Sequence, residues 1–97
     1  MLPKKYDSKR KICQVTFVLP HRRAISCSVV GDFNNWDKHA TPMRRHGDGT
    51  WRIDVRLEAG REYQYRFLVD NRERIIDDNA DRLTVHPQGG ENSVVAA

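Results

Sequence analysis

The sequence predicts an all-β protein, an immunoglobulin-like antiparallel β-sandwich, and three observations predict it. Apolar and polar residues alternate in several short runs, the period of a strand with one buried face. Turn-forming clusters such as His46-Gly47-Asp48-Gly49 and Asp70-Asn71 punctuate those runs. No stretch keeps a helical period beyond one turn, and there is no internal repeat or heptad. About six or seven short strands of this kind point to two packed sheets. A chain of 97 residues, 38% hydrophobic and 31% charged, is one small folded domain with a thin core.

The elements follow in order. Residues 1–11 show neither period and are expected to form a basic, flexible tail ahead of the sandwich proper, 12–97. From Ile12 the alternation begins, with Cys13, Val15, Phe17 and Leu19 facing one way and Gln14 and Thr16 the other, until Pro20. After the polar turn His21-Arg22-Arg23, the residues Ile25, Cys27 and Val29 give the inward set of a second strand, closed by Gly31. Met43 is read as a plug of the core. The clearest strand sets Trp51, Ile53, Val55 and Leu57 against Arg52, Asp54, Arg56 and Glu58. Beyond Ala59-Gly60-Arg61 a matching run places Tyr63, Tyr65, Phe67 and Val69 inward, and the two runs are expected to pair as a hairpin. A short strand at 74–76, a segment at 83–85 dipping into the core, a loop at 87–90 and a last strand at 92–96 complete the chain.

Charge and composition narrow the function. Five of the 17 bases but only one of the 13 acids fall in residues 1–11, so the net charge of +4 belongs to the tail and the body is neutral. A nucleic-acid binder spreads its cations over a face of the fold, so nucleic acid is an improbable partner; salt-sensitive binding of an anionic polymer by the tail is the remaining reading of that kind. No apolar stretch approaches a leader or a membrane span, which makes a cytoplasmic location the expectation. Cys13 and Cys27 sit in apolar alternation as small core residues; a disulfide between them stays open if they lie on neighbouring strands. Asp77, Asp78 and Asp81 read as solvated loop carboxylates rather than an acid pair across a cleft, and the four histidines are scattered. No nucleophile elbow or phosphate loop is present, so neither catalysis nor a cofactor is implied.

The stretch around which the chain is organised is Gly31-Asp32-Phe33-Asn34-Asn35-Trp36. Asn and Asp tolerate left-handed backbone angles and bond their own backbone, so Asp32 to Asn35 reads as a tight turn. The turn is expected to fold Phe33 back under the sheet and to stand Trp36 at the surface, where a flat indole can stack on a ligand.

Four ordered motifs resemble a known family: Val29-Val30-Gly31-Asp32-Phe33-Asn34-Asn35-Trp36, then Asp48-Gly49-Thr50-Trp51, then Gly60-Arg61-Glu62-Tyr63-Gln64-Tyr65-Arg66-Phe67-Leu68-Val69-Asp70, then Gly89-Gly90-Glu91-Asn92-Ser93-Val94-Val95. Over about residues 12–96 the chain is similar to the early-set domain of isoamylases and branching enzymes, the family 48 carbohydrate-binding module. It is similar too to the glycogen-binding domain of the AMP-activated protein kinase beta subunit. The resemblance implies an early-set sandwich that binds α-glucan, such as glycogen or maltooligosaccharide, without catalysing its turnover. Because the sequence stops at Ala97, it also suggests a free-standing bacterial module.

Carried over residue by residue, Trp36 matches the sugar-stacking tryptophan, Arg66 the cation on the intervening strand, and Asn92 the asparagine near the last strand. The family's second tryptophan is absent, and its place falls at or beside Arg74. Arg74 then either stacks on or bonds a sugar, or lies across Trp36 as a cation–π pair and occludes it. Plainer roles stand beside these: Trp36 packing on the sheet edge, Arg66 in a cross-strand charge pair, Asn92 capping a loop, Arg74 as a solvated edge charge. The alternative function for the whole is a protein-interaction module of the same fold that has lost sugar binding.

Overall fold

The computed structural model describes residues 2–85 and 89–97. Among the described residues nine strands run in chain order: β1 Lys4–Asp7, β2 Ile12–Pro20, β3 Cys27–Gly31, β4 Arg44–Arg45, β5 Thr50–Glu58, β6 Glu62–Val69, β7 Glu73–Ile75, β8 Arg82–Val85 and β9 Glu91–Ala96. They form two antiparallel sheets, β1-β2-β5-β4 and β3-β6-β9-β8, with β7 added to β6. The all-β sandwich read from the alternation is therefore the architecture observed. Among the described residues no helix is long and apolar enough to cross a membrane.

The core lies between the sheets and is built from the inward residues of each alternation. Cys13, Val15, Phe17 and Leu19 of β2 and Trp51 and Leu57 of β5 meet Cys27 and Val29 of β3, Tyr63, Tyr65, Phe67 and Val69 of β6 and Val95 of β9. Phe17 sits at the centre, edge-on to Tyr65 with ring centroids 4.8 Å apart and stacked on Phe33 at 5.9 Å. Each such side chain contributes about 1.5–3 kcal/mol by leaving water. Met43 plugs the core as expected, and Trp51 donates its Nε1–H to the carbonyl of His21 at 3.0 Å. Cys13 and Cys27 are both buried and free, on strands of different sheets.

Five expectations need correction. The two clearest runs do not form a hairpin: β5 pairs with β2 and β4, whereas β6 pairs with β3, β9 and β7. The link between them bonds elsewhere, with Ala59 N–H donating to Lys11 O, Gly60 N–H to Ala97 O and Ala97 N–H to Arg61 O, so the chain arches from one sheet to the other. The N-terminal segment is a strand where a flexible tail was expected: Lys4–Asp7 pairs with β2, Leu2 is buried, and Lys4 bonds Asp81 at 2.7 Å.

Ile25 is 85% exposed instead of inward, because the Asp70 carboxylate captures the N–H groups of Ile25 (2.7 Å) and Ser26 (3.1 Å) and delays the strand until Cys27. Leu83 and Val85 stay exposed, since β8 is an edge strand that leaves its side chains at the rim. Asp77 is not a solvated loop acid. It is buried, accepts the Tyr65 hydroxyl at 2.7 Å and the Asn79 N–H at 2.9 Å, and donates its own N–H to Ser93 Oγ. The loop expected at 87–90 lies partly outside the described residues.

Candidate functional site

Gly31 ends β3 at a point where only glycine fits. Its backbone is extended, but a Cβ there would lie 2.5 Å from the carbonyl oxygen of Gln64 and 2.8 Å from Tyr65 Cβ. A single 3-10 turn, Asp32–Asn34, follows. Asn34 is its organiser: Oδ1 accepts the Gly31 N–H at 3.0 Å, while Nδ2 donates to Val29 O at 2.9 Å and to Thr41 Oγ1 at 3.0 Å. Asp32 Oδ2 accepts the Gln64 N–H at 2.8 Å and ties the turn to β6.

The chain then enters the left-handed region twice, at Asn35 (φ 56°) and Trp36 (φ 58°). Asparagine accepts this conformation readily; for tryptophan it costs about 1–2 kcal/mol. The Trp36 N–H bonds Gly31 O at 2.9 Å, which holds the strained residue in place. The indole is 36% exposed, whereas Phe33 packs against the core, so the two rings separate as the sequence predicts. Strained backbone of this kind clusters at ligand-contacting positions.

The remaining candidates lie on the outward face of the second sheet. Val30 stands opposite Arg66, and Leu68 opposite Arg74, in the antiparallel ladders, so both arginines share one face. They are diagonal neighbours across β6 and β7, a separation of about 7–8 Å that long side chains span. Arg66 is half-buried and donates from Nε to Glu91 O at 3.0 Å; Arg74 is exposed. Asn92 lies on β9 opposite Thr84, and its Nδ2 donates to Gln64 Oε1 at 2.9 Å. Asn92 is thus buried in an amide pair within the sheet face rather than capping a loop.

Gln64 was not among the sequence candidates. Alternation placed it outward, but nothing local signals a partner 28 residues away. The alternative in which Arg74 covers Trp36 is not adopted: the cation–π pairs among the described residues are Arg45 over Trp51 at 5.5 Å and Arg61 over Tyr63 at 5.7 Å. Among the described residues no group of three His, Cys, Asp or Glu is placed to hold a metal ion. Burial and the Tyr65–Asp77 hydrogen bond push the Tyr65 hydroxyl up, and burial raises the Asp77 carboxyl as well. Burial also pushes the Cys27 thiol up to about 11, so it is an inert core group at neutral pH.

The fold is a two-sheet antiparallel sandwich in which a tight turn after β3 exposes Trp36. The chain belongs to carbohydrate-binding module family 48, the isoamylase N-terminal domain, whose family model matches residues 5–89. It is similar to the 1,4-alpha-glucan branching enzyme of Pseudomonas putida, 44% identical over 66 residues, which are 66% of this chain and 8% of the enzyme. The corresponding enzyme of Thiobacillus denitrificans is 42% identical over 65 residues, 63% of this chain and 9% of the enzyme. That of Xanthomonas campestris is 32% identical over 80 residues, 80% of this chain and 11% of the enzyme. The chain therefore spans about a tenth of the length of these relatives.

Proposed function

We propose that this module binds α-glucan, as glycogen or maltooligosaccharide, on the outward face of the second sheet, with Trp36 as the stacking platform. In this reading Arg66 and Arg74 bond sugar hydroxyls from one side, and Asn92, held by Gln64, faces them from the other. The observation that carries the reading is the exposed Trp36 in an unfavourable left-handed conformation, held by its own N–H to Gly31 O at the end of the turn that Asn34 organises. The names of the relatives, 1,4-alpha-glucan branching enzymes, support the choice of polymer. Binding occurs without turnover of the sugar, in the cytoplasm.

One exposed ring supplies about 1 kcal/mol beyond burial, so a single site is weak, with a dissociation constant near the millimolar level, about −4 kcal/mol. A branched polymer offers many such sites, and co-sedimentation with glycogen is the sensitive assay. The chain is expected to pellet with glycogen, and Trp36→Ala to remain in the supernatant with its fold intact. Equal sedimentation of the two proteins would remove Trp36 from the site.

A further inference from the structure

β5 is paired along its whole length on one side only. β2 covers Thr50–Glu58 there, whereas on the other side β4 covers just Trp51 and Arg52. Among the described residues nothing pairs with residues 53–58 on that second side, so they form an open sheet edge. The bonds to β2 decide which groups the edge offers. At the two ends of that ladder His21 N–H bonds Gly49 O and Ala59 N–H bonds Lys11 O, which puts Ile53, Val55 and Leu57 in the hydrogen-bonded pairs with β2. Asp54, Arg56 and Glu58 alternate with them and point their N–H and C=O groups at the open edge.

The space beside this edge is open. One cavity of about 430 Å³ is lined by Arg52, Ile53 and Asp54 among others, and another of about 460 Å³ by Phe33, Val55 and Leu57 among others. Ile53, Val55 and Phe33 are only partly buried, although all three pack against the core. On the outward face Arg52, Asp54, Arg56 and Glu58 alternate in sign. Asp54 accepts the Thr16 hydroxyl through Oδ1 alone, and among the described residues Arg56 has no acid within ion-pair distance.

We propose that this edge pairs with the same edge of a second copy of the chain, antiparallel and two-fold symmetric about Val55. In that register Asp54 stands opposite Arg56 of the partner subunit, and Arg56 opposite the partner's Asp54. Each of these pairs exchanges two backbone bonds, since the N–H and C=O groups of both residues point outward from β2. On the inward face Val55 meets its own copy and Ile53 meets the partner's Leu57, which covers the partly buried side chains. The paired stretch, residues 53–57, ends where β4 begins on one side and where the link at Ala59 leaves the sheet on the other. The partner's Glu58 then lies beside Arg44 and Arg52, like charges that stand opposite one another. Other registers are worse. Centring the axis on Arg56 sets Asp54 against Glu58 and Arg56 against itself, centring it on Asp54 sets Arg52 against Arg56, and a slip of one residue turns the apolar face against the charged one. The pairing uses none of the side chains placed at the sugar face.

The test is sedimentation equilibrium of the full chain, raised towards millimolar concentration because so short a contact gives a weak dimer. The mean mass should climb from 11.3 kDa towards twice that value. Asp54→Arg and Arg56→Asp, each alone, place like charges opposite one another and should weaken association at least about tenfold. Mixed in equal amounts, the two variants should associate again, because one then carries two cations and the other two acids at these positions; this restoration also shows that both are folded. Amide exchange gives the register: on association Asp54 and Arg56 N–H should gain protection, while Val55 N–H, already bonded to β2, should not change. The proposal is overturned by a mass that stays at 11.3 kDa at every concentration, by association that survives both single variants, by a mixture that stays monomeric, or by protection gained along β1 or β8 instead.

Discussion

Replacing Gly31 by alanine tests whether the turn that displays Trp36 is set by the close approach of β3 to β6. The backbone at Gly31 is extended, so alanine meets no conformational penalty there and gains about 0.4–1 kcal/mol from the stiffer unfolded chain. The cost is steric. A Cβ would sit 2.5 Å from Gln64 O, where carbon–oxygen contacts settle at about 3.3 Å. It would sit 2.8 Å from Tyr65 Cβ, where carbon pairs settle at about 3.5–4.0 Å.

Neither partner can rotate away, so the strands must part by roughly 0.8 Å. Overpacking of this order costs about 1–3 kcal/mol, and stretching the hydrogen bond from the Gln64 N–H to Asp32 Oδ2 adds about 1 kcal/mol. The net expectation is a loss of about 2 kcal/mol, or a melting point lowered by roughly 8–16 °C for a domain this small. Urea and thermal unfolding followed by tryptophan fluorescence measure it. A Gly31→Ala protein within about 0.5 kcal/mol of the parent would refute the steric account.

Other consequences follow from the same structure. Asn34→Ala removes three hydrogen bonds around the turn and should cost about 2–3 kcal/mol in urea unfolding; an unchanged midpoint would deny Asn34 its organising place. Leu2→Ala, at a side chain 4% exposed, should cost about 2 kcal/mol, and a neutral result would mean that β1 adds nothing to the sandwich. Asp77→Asn tests the buried carboxyl by pH. Burial holds Asp77 above the usual carboxylate range, so the folded state keeps this proton to higher pH than the unfolded chain. Its contribution to stability is complete below about pH 4 and is lost as pH rises through the raised folded value. Asparagine never ionises, so the stability of Asp77→Asn relative to the parent should rise with pH above about 4 and stay flat below. A constant difference would contradict the raised value.

The alternation in β2, β5 and β6 made their inward residues legible before any coordinates, because period 2 is a property of each strand alone. It does not say which strand is the neighbour. The arch between β5 and β6 depends on bonds from the link to Lys11 and Ala97, which no local pattern records. β1 was missed for a related reason: it is four residues long, its side chains are mostly outside, and the Lys4–Asp81 pair that secures it joins residues 77 apart. Ile25 was misplaced because a carboxylate 45 residues away competes for its N–H. The turn before Trp36 was legible, since Asn34 and Asn35 act on their own neighbourhood. The Gln64–Asn92 pair was not, and the roles of Arg66, Arg74 and Asn92 came from resemblance, with the ladder registers supplying their common face.

The most direct test of the sugar site is an amide-proton NMR titration with maltoheptaose carried into the millimolar range. Saturable shifts on residues 34–38, Arg66, Arg74 and Asn92 are the expected result. A well-dispersed spectrum in which none of these signals moves would contradict the assignment of α-glucan binding to this face.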